Sequence, residues 1–211
     1  MTPGRPGLPS RQTLVDRAAA LAAGGERRIL GIAGPPGAGK STLARAVCEA
    51  LPGRAVLVPM DGFHRANEEL AELGLRDRKG APETFDAAGF VALLGDLRRG
   101  ATVRAPDFDR DLDRVAPDAI AVPAGLPLVV VEGNYLLLDE GPWAAIRSLL
   151  DEAWYLAGDE ARVERLIARH VLHGRSPEAA REWVLRSDEA NARRVAPGAS
   201  RADVVIAGLP P

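Results

Sequence analysis

Residues Gly34-Pro35-Pro36-Gly37-Ala38-Gly39-Lys40-Ser41 fit the pattern G-x-x-x-x-G-K-[ST]. The apolar run Ile29-Leu30-Gly31-Ile32-Ala33 precedes them, and residues 42–50 read as a helix beginning at Thr42. Strand, glycine-rich loop and helix is the setting in which such a loop wraps a phosphate. Its glycines let backbone N–H groups turn inward, and the helix N-terminus adds positive potential. In this arrangement Lys40 reaches the β- and γ-phosphates of a nucleoside triphosphate and the Ser41 hydroxyl serves Mg²⁺. A loop that binds phosphate this way needs a buried parallel strand behind it, which constrains the rest of the chain.

Further apolar runs meet that need. Residues 55–60, 127–132, 152–157 and 202–207 read as strands, and 127–132 is almost continuously aliphatic. Helical spacing recurs at 10–23, 87–99, 143–150, 159–173 and 177–194, with Ser10 placed as an N-cap for the first of these. Shorter extended pieces around Val103 and at 119–122 flank a charged loop at 107–114, and a polar loop or broken helix runs through residue 83. Strands that alternate with helices and are apolar throughout predict an α/β fold. The expected form is three layers around a parallel, roughly five-stranded sheet, with no antiparallel hairpin signal. We expect a single domain, with residues 1–28 a tail and helix packed on a core formed by 29–211.

Net charge is −2 over 211 residues, which gives no global basic field for nucleic acid. No stretch has the length and apolarity of a membrane span, and residues 1–10 lack the apolar centre of a secretory signal. One cysteine and three histidines at unsuitable spacing provide neither a disulfide nor a zinc site, so a reducing, cytoplasmic setting is the default expectation. Of 27 basic residues only Lys40 and Lys79 are lysine. The loop accounts for Lys40. Lys79 stands out in a chain that otherwise writes positive charge as arginine, and chance explains it as well as function does.

In an open parallel sheet, ligands bind beyond the C-terminal strand ends. Asp61 and Glu132 fall there. Asp61, beside Gly62, can serve as general base, although Asp-Gly is also a common turn pair and spacing does not choose between the two. Glu132 ends the aliphatic strand and can hold Mg²⁺, directly or through water. Arg165, Arg169 and Arg175 lie on or just past one helix, suited to a lid over about 160–195 that neutralises phosphate charge. The same arginines could equally be a solvated basic face.

Taken in order, these segments resemble the uridine kinase, phosphoribulokinase and type I pantothenate kinase group of P-loop kinases. The carriers are the 34–41 loop, Met60-Asp61-Gly62-Phe63-His64, Lys79-Gly80-Ala81-Pro82-Glu83-Thr84-Phe85-Asp86, Ala105-Pro106-Asp107-Phe108-Asp109, Val131-Glu132-Gly133-Asn134-Tyr135, and Arg165 with Gly174-Arg175. The chain looks closest to bacterial nucleoside/nucleotide kinase family proteins, some of them called fructose-transport kinases. The resemblance implies ATP and Mg²⁺, Asp61 as base, and a small hydroxylated acceptor such as a sugar, nucleoside or pantothenate-like molecule. It places that acceptor near His64, Lys79, Glu83, Phe85, Asp86, Phe108, Arg110 and Asn134, and it offers a homodimer as the assembly. The segment Phe108-Asp109 lacks the following histidine with which uridine kinases read a pyrimidine, and it carries Asp111, Asp113 and Arg114 instead. A P-loop protein could also use nucleotide as a conformational switch, or bind it without catalysis. The guanine-reading Asn-Lys-x-Asp is absent.

Overall fold

The computed structural model describes residues 9–208. Residues 1–8 of the expected N-terminal tail therefore lie outside the described residues. Among the described residues seven strands and eight α-helices follow in chain order: α1 (Arg11–Leu21), β1 (Arg28–Ala33), α2 (Lys40–Ala50), β2 (Ala55–Pro59), α3 (Asn67–Glu72), α4 (Ala87–Arg98), β3 (Val103–Asp109), β4 (Arg114–Val122), β5 (Leu128–Gly133), α5 (Ile146–Leu149), β6 (Glu152–Leu156), α6 (Arg162–Leu172), α7 (Pro177–Trp183), α8 (Glu189–Val195) and β7 (Val204–Ile206).

Five strands form one parallel sheet in the order β2-β5-β1-β6-β7. Its centre is buried because both faces are covered. Val129 and Val131 point to one side with Ile29, Val58, Phe90, Leu94 and Leu97. Leu128 and Val130 point to the other with Leu30, Ile32, Leu43, Val47, Leu14 and Ala18. That period of two explains why the strands read as unbroken apolar runs. Burying each such side chain stabilises the fold by roughly 1.5–3 kcal/mol. Helix α1 starts where expected, with the Ser10 hydroxyl accepting from the Thr13 N–H at 3.1 Å.

Register positions the site. Ile32 pairs with Glu132 and Ala33 with Gly133, while Pro59 pairs with Glu132 from the other side. The C-terminal ends of β1, β5 and β2 therefore lie side by side, and the chain leaves each of them toward one edge.

Two expectations need correction. The segment 107–114 is not a charged loop between short extended pieces: β3 and β4 are antiparallel strands of a separate two-stranded sheet, and only its tip is irregular. A register shift between Ala105 and Asp107 breaks the alternation by which the strands would be read. Asp113 and Asp118 take positive φ, of 48° and 54°, conformations that aspartate accepts more readily than most residues. The helix at 177–194 is interrupted by a π-turn over Val184–Asp188, a local widening that often accompanies a functional site.

Candidate active site

The phosphate loop turns sharply between β1 and α2. Gly34 could not be any other residue, since a Cβ there would lie 2.1 Å from the Leu156 carbonyl oxygen. Gly37 has φ +75°, and its Cβ would lie 2.7 Å from Leu166 Cγ of α6. The loop is thus pressed beneath β6 on one side and the lid on the other. Gly34, Pro35 and Ala38 are buried support, while Pro36, Gly37, Gly39, Lys40, Ser41 and Thr42 line a cavity of about 1200 Å³.

Lys40 opens α2 and is only 7% exposed. Its Nζ donates to the Pro35 carbonyl at 2.9 Å and to Asn134 Oδ1 at 2.7 Å. Burial lowers its pKa to about 8, against the opposing pull of Glu132 and Asp61. Ser41 Oγ donates to Glu132 Oε1 at 2.8 Å. Burial, reinforced by the Asp61 carboxylate, raises the Glu132 pKa despite Lys40 and the Ser41 hydrogen bond. A buried carboxylate held against a hydroxyl, beside a second acid, is a donor set that suits a hard divalent cation.

Asp61 lies in a 3-10 turn, Met60–Phe63, directly after β2. Gly62 lets the β3–β4 hairpin settle there, because a Cβ would lie 2.3 Å from the Pro106 carbonyl oxygen. From the hairpin tip, Arg110 reaches back and pairs with Asp61. His64 Nδ1 bonds the Asp61 carbonyl at 2.8 Å, and its ring lies 4.1 Å from Phe85 and 4.7 Å from Phe108. Burial lowers the His64 pKa, outweighing Asp61.

Lys79 lines the same cavity. Its Nζ donates to Asn67 Oδ1 and Asp113 Oδ1, each at 2.8 Å, and lies 5.3 Å from the centre of the Phe108 ring. Glu83 and Asp86, expected at the acceptor site, stand apart from this cavity. Glu83 turns to Arg78 and Arg194. Asp86 caps α4 by accepting from the Gly89 N–H at 2.9 Å. Both are short acids at element boundaries, where capping and surface pairing compete with ligand contact.

The lid meets the loop through backbone carbonyls. Arg165 donates to the Gly37 carbonyl at 3.1 Å and to Asp159 at 2.7 Å. Arg162 donates to the Pro36 carbonyl at 3.0 Å and pairs with Glu189. Arg169 lines the cavity, and its pKa is lowered by the surrounding protein and by Arg110. Arg175 also lines the cavity, with its guanidinium 4.1 Å from the Trp183 ring centre. Asn67, Asp113, Arg162 and Asn191 carry no motif of their own. Asn191, in α8 just past the π-turn, donates to the Gly80 carbonyl at 3.3 Å.

Residues 29–211 match the model of the phosphoribulokinase/uridine kinase family. The protein YggC of Escherichia coli K12 is 36% identical over 186 residues, covering 85% of this chain and 77% of its own. A Schizosaccharomyces pombe protein named for uridine kinase is 33% identical over 218 residues, 97% of this chain and 93% of its own. A crystal structure from Silicibacter sp. TM1040, of a protein named for a fructose transport system kinase, superposes with a TM-score of 0.85 at 34% identity, covering 94% of this chain and 99% of that one. The parallel sheet, the glycine loop and these matches agree: this chain belongs to the phosphoribulokinase/uridine kinase family of P-loop kinases.

Proposed function

We propose that this protein transfers the γ-phosphoryl group of ATP to a hydroxyl of a small polar metabolite. The observation that carries this reading is convergence: Lys40, Asp61 and Glu132 leave three adjacent strand ends and line one cavity with Lys79 and Phe108. Phosphoryl transfer asks for little covalent chemistry from a protein, and mainly for positioning and charge. Lys40 and the loop N–H groups hold the phosphates. Ser41 and Glu132 would hold Mg²⁺, which supplies charge neutralisation on the phosphate oxygens. Asp61 accepts the proton of the acceptor hydroxyl as its oxygen bonds to phosphorus, and the bond to the β-phosphate breaks to release ADP. Arg169 faces the same charge from the lid, and closing the lid excludes water. A chain with one cysteine that consumes ATP suits the cytoplasm.

The test is coupled ADP release with ATP and Mg²⁺ over sugars, nucleosides and pantothenate-like alcohols. Acceptor-dependent turnover that Asp61→Asn removes supports transfer. ATP turnover indifferent to every acceptor would instead make the protein a nucleotide-driven switch.

A further inference from the structure

The β3–β4 tip is fastened at two points across the same cavity. Arg110 holds Asp61, and three residues later Asp113 holds both Lys79 and Asn67, its Oδ2 accepting from Asn67 Nδ2 at 3.0 Å. Asp113 keeps this position with φ +48°, a left-handed conformation that aspartate accepts more readily than most residues. Lys79 and Asn67 together depress the Asp113 pKa against the effect of burial. A lysine, an amide and a carboxylate are thereby fixed in one group, offering donors and acceptors side by side.

Two classes of acceptor fit this group poorly. A nucleobase draws much of its binding from stacking on an aromatic face. The phenylalanine and tryptophan rings lining the cavity already have partners: Phe85 is 3% exposed and lies against His64, Phe108 meets His64 and Lys79, and Trp183 meets Arg175. An anionic acceptor needs uncommitted cations. Around the hairpin tip Lys79 is paired with Asp113 and Arg110 with Asp61, and the carboxylates of Asp77 and Asp111 line the cavity with the exposed Arg76; the further cavity arginines, Arg45, Arg165, Arg169 and Arg175, lie on α2 and the lid. Like charges held without compensation oppose an anion strongly. Neutral hydroxyl groups meet no such opposition, and they can replace the hydrogen bonds that Asp113, Lys79 and Asn67 now make to one another.

We propose that Asp113, Lys79 and Asn67 form the acceptor-reading group, and that the acceptor is a neutral, non-aromatic sugar or polyol recognised through neighbouring hydroxyls. This rests on the phosphotransfer reading above and narrows it. Specificity of this kind is steep, because a site built for hydroxyls leaves its polar groups unpaired when they are missing.

The experiment uses the full chain with ATP and Mg²⁺, and follows ADP release against three sets: neutral sugars and polyols, nucleosides, and hydroxy acids with sugar phosphates. The expected result is the highest kcat/KM within the neutral set. Asp113→Asn and Asn67→Ala should each raise the acceptor KM about tenfold or more, the usual effect of losing a hydrogen bond to a charged group. KM for ATP should stay within about twofold, and the melting temperature should hold. A nucleoside or anionic acceptor with the higher kcat/KM overturns the proposal while leaving transfer intact. So does a pair of variants that change ATP and acceptor parameters alike. ADP release with none of the three sets removes the phosphotransfer reading, and this proposal with it.

Discussion

Ser41 and Glu132 are 91 residues apart in the chain, and the Ser41 hydroxyl donates to the Glu132 carboxylate at 2.8 Å. The pairing of Ile32 with Glu132 across β1 and β5 brings them together, since Ser41 begins just past the loop that β1 feeds. Glu132 is buried and charged only at a cost, which burial expresses as a raised pKa. A divalent cation would relieve that cost. Glu132→Gln keeps an oxygen for Ser41 and removes the charge, so we expect the Mg²⁺ concentration for half-maximal activity to rise about 10- to 100-fold. In the natural protein only the ionised carboxylate would hold the metal. Its affinity should therefore weaken as pH falls through the raised pKa, above the range of an ordinary glutamate. Mg²⁺ titrations at stepped pH test this, and identical curves for protein and variant would refute it.

Lys40 predicts the opposite limb. Its pKa is lowered to about 8 because the ammonium is buried. Phosphate charge favours the protonated form, so nucleotide binding above pH 8 must take up a proton. Affinity should hold below about pH 8 and weaken as pH rises past it, by at most about tenfold per pH unit. Equilibrium binding of a fluorescent ATP analogue at pH 7, 8 and 9 measures the trend, and a flat profile would show that Lys40 is charged throughout.

Asp61→Asn should lower the rate of transfer about 10²- to 10⁴-fold, the ordinary effect of losing a general base. Nucleotide affinity should change little, because Asn retains the size of Asp61 and can still accept a hydrogen bond from Arg110. A parallel loss of binding and turnover would assign Asp61 to the phosphates or the metal instead.

The parts of the site that announce themselves in sequence are those whose chemistry depends on chain-local spacing. The 34–41 loop is one such part, because its glycines and Lys40 act within a single turn. Asp61 and Glu132 were legible as acids at the ends of apolar runs, since a buried strand has a recognisable composition. The group around Lys79 was not legible in that way. Asn67, Lys79 and Asp113 come from a short helix, a 3-10 segment and a hairpin tip, and no periodicity connects them. Glu83 and Asp86, which the resemblance placed near the acceptor, pair in the structure with Arg78 and Arg194 and with the Gly89 N–H. Arg162 was one arginine among many until its bond to the Pro36 carbonyl distinguished it.

Arg162 therefore yields its own prediction. It is the lid arginine most enclosed by protein, with 12% of its side chain exposed, and it ties α6 to the phosphate loop and to Glu189 of α8. Arg162→Ala removes both ties and leaves the Glu189 carboxylate without its partner. The lid should open more often. We expect faster limited proteolysis within 159–175 and a loss of nucleotide affinity of about tenfold, in line with one or two charge-assisted hydrogen bonds. Unchanged proteolysis would mean that Leu166 packing on Gly37 holds the lid unaided.

Gly62 tests whether the hairpin truly rests on the Met60–Phe63 turn. A Cβ at this position would lie 2.3 Å from the Pro106 carbonyl oxygen and 2.7 Å from its carbon, both backbone atoms that cannot swing aside. Gly62→Ala must push β3 away or strain the turn, at a cost of about 1–3 kcal/mol, which lowers the melting temperature by several degrees. Moving β3 would also draw Arg110 from Asp61 and Phe108 from His64. Transfer should then fall more than nucleotide binding, because the loop and Lys40 lie on other elements. Gly125→Ala is the matched control, since a Cβ there meets nothing within 4 Å. If the two variants melt and turn over alike, the close seating of the hairpin on Gly62 is wrong.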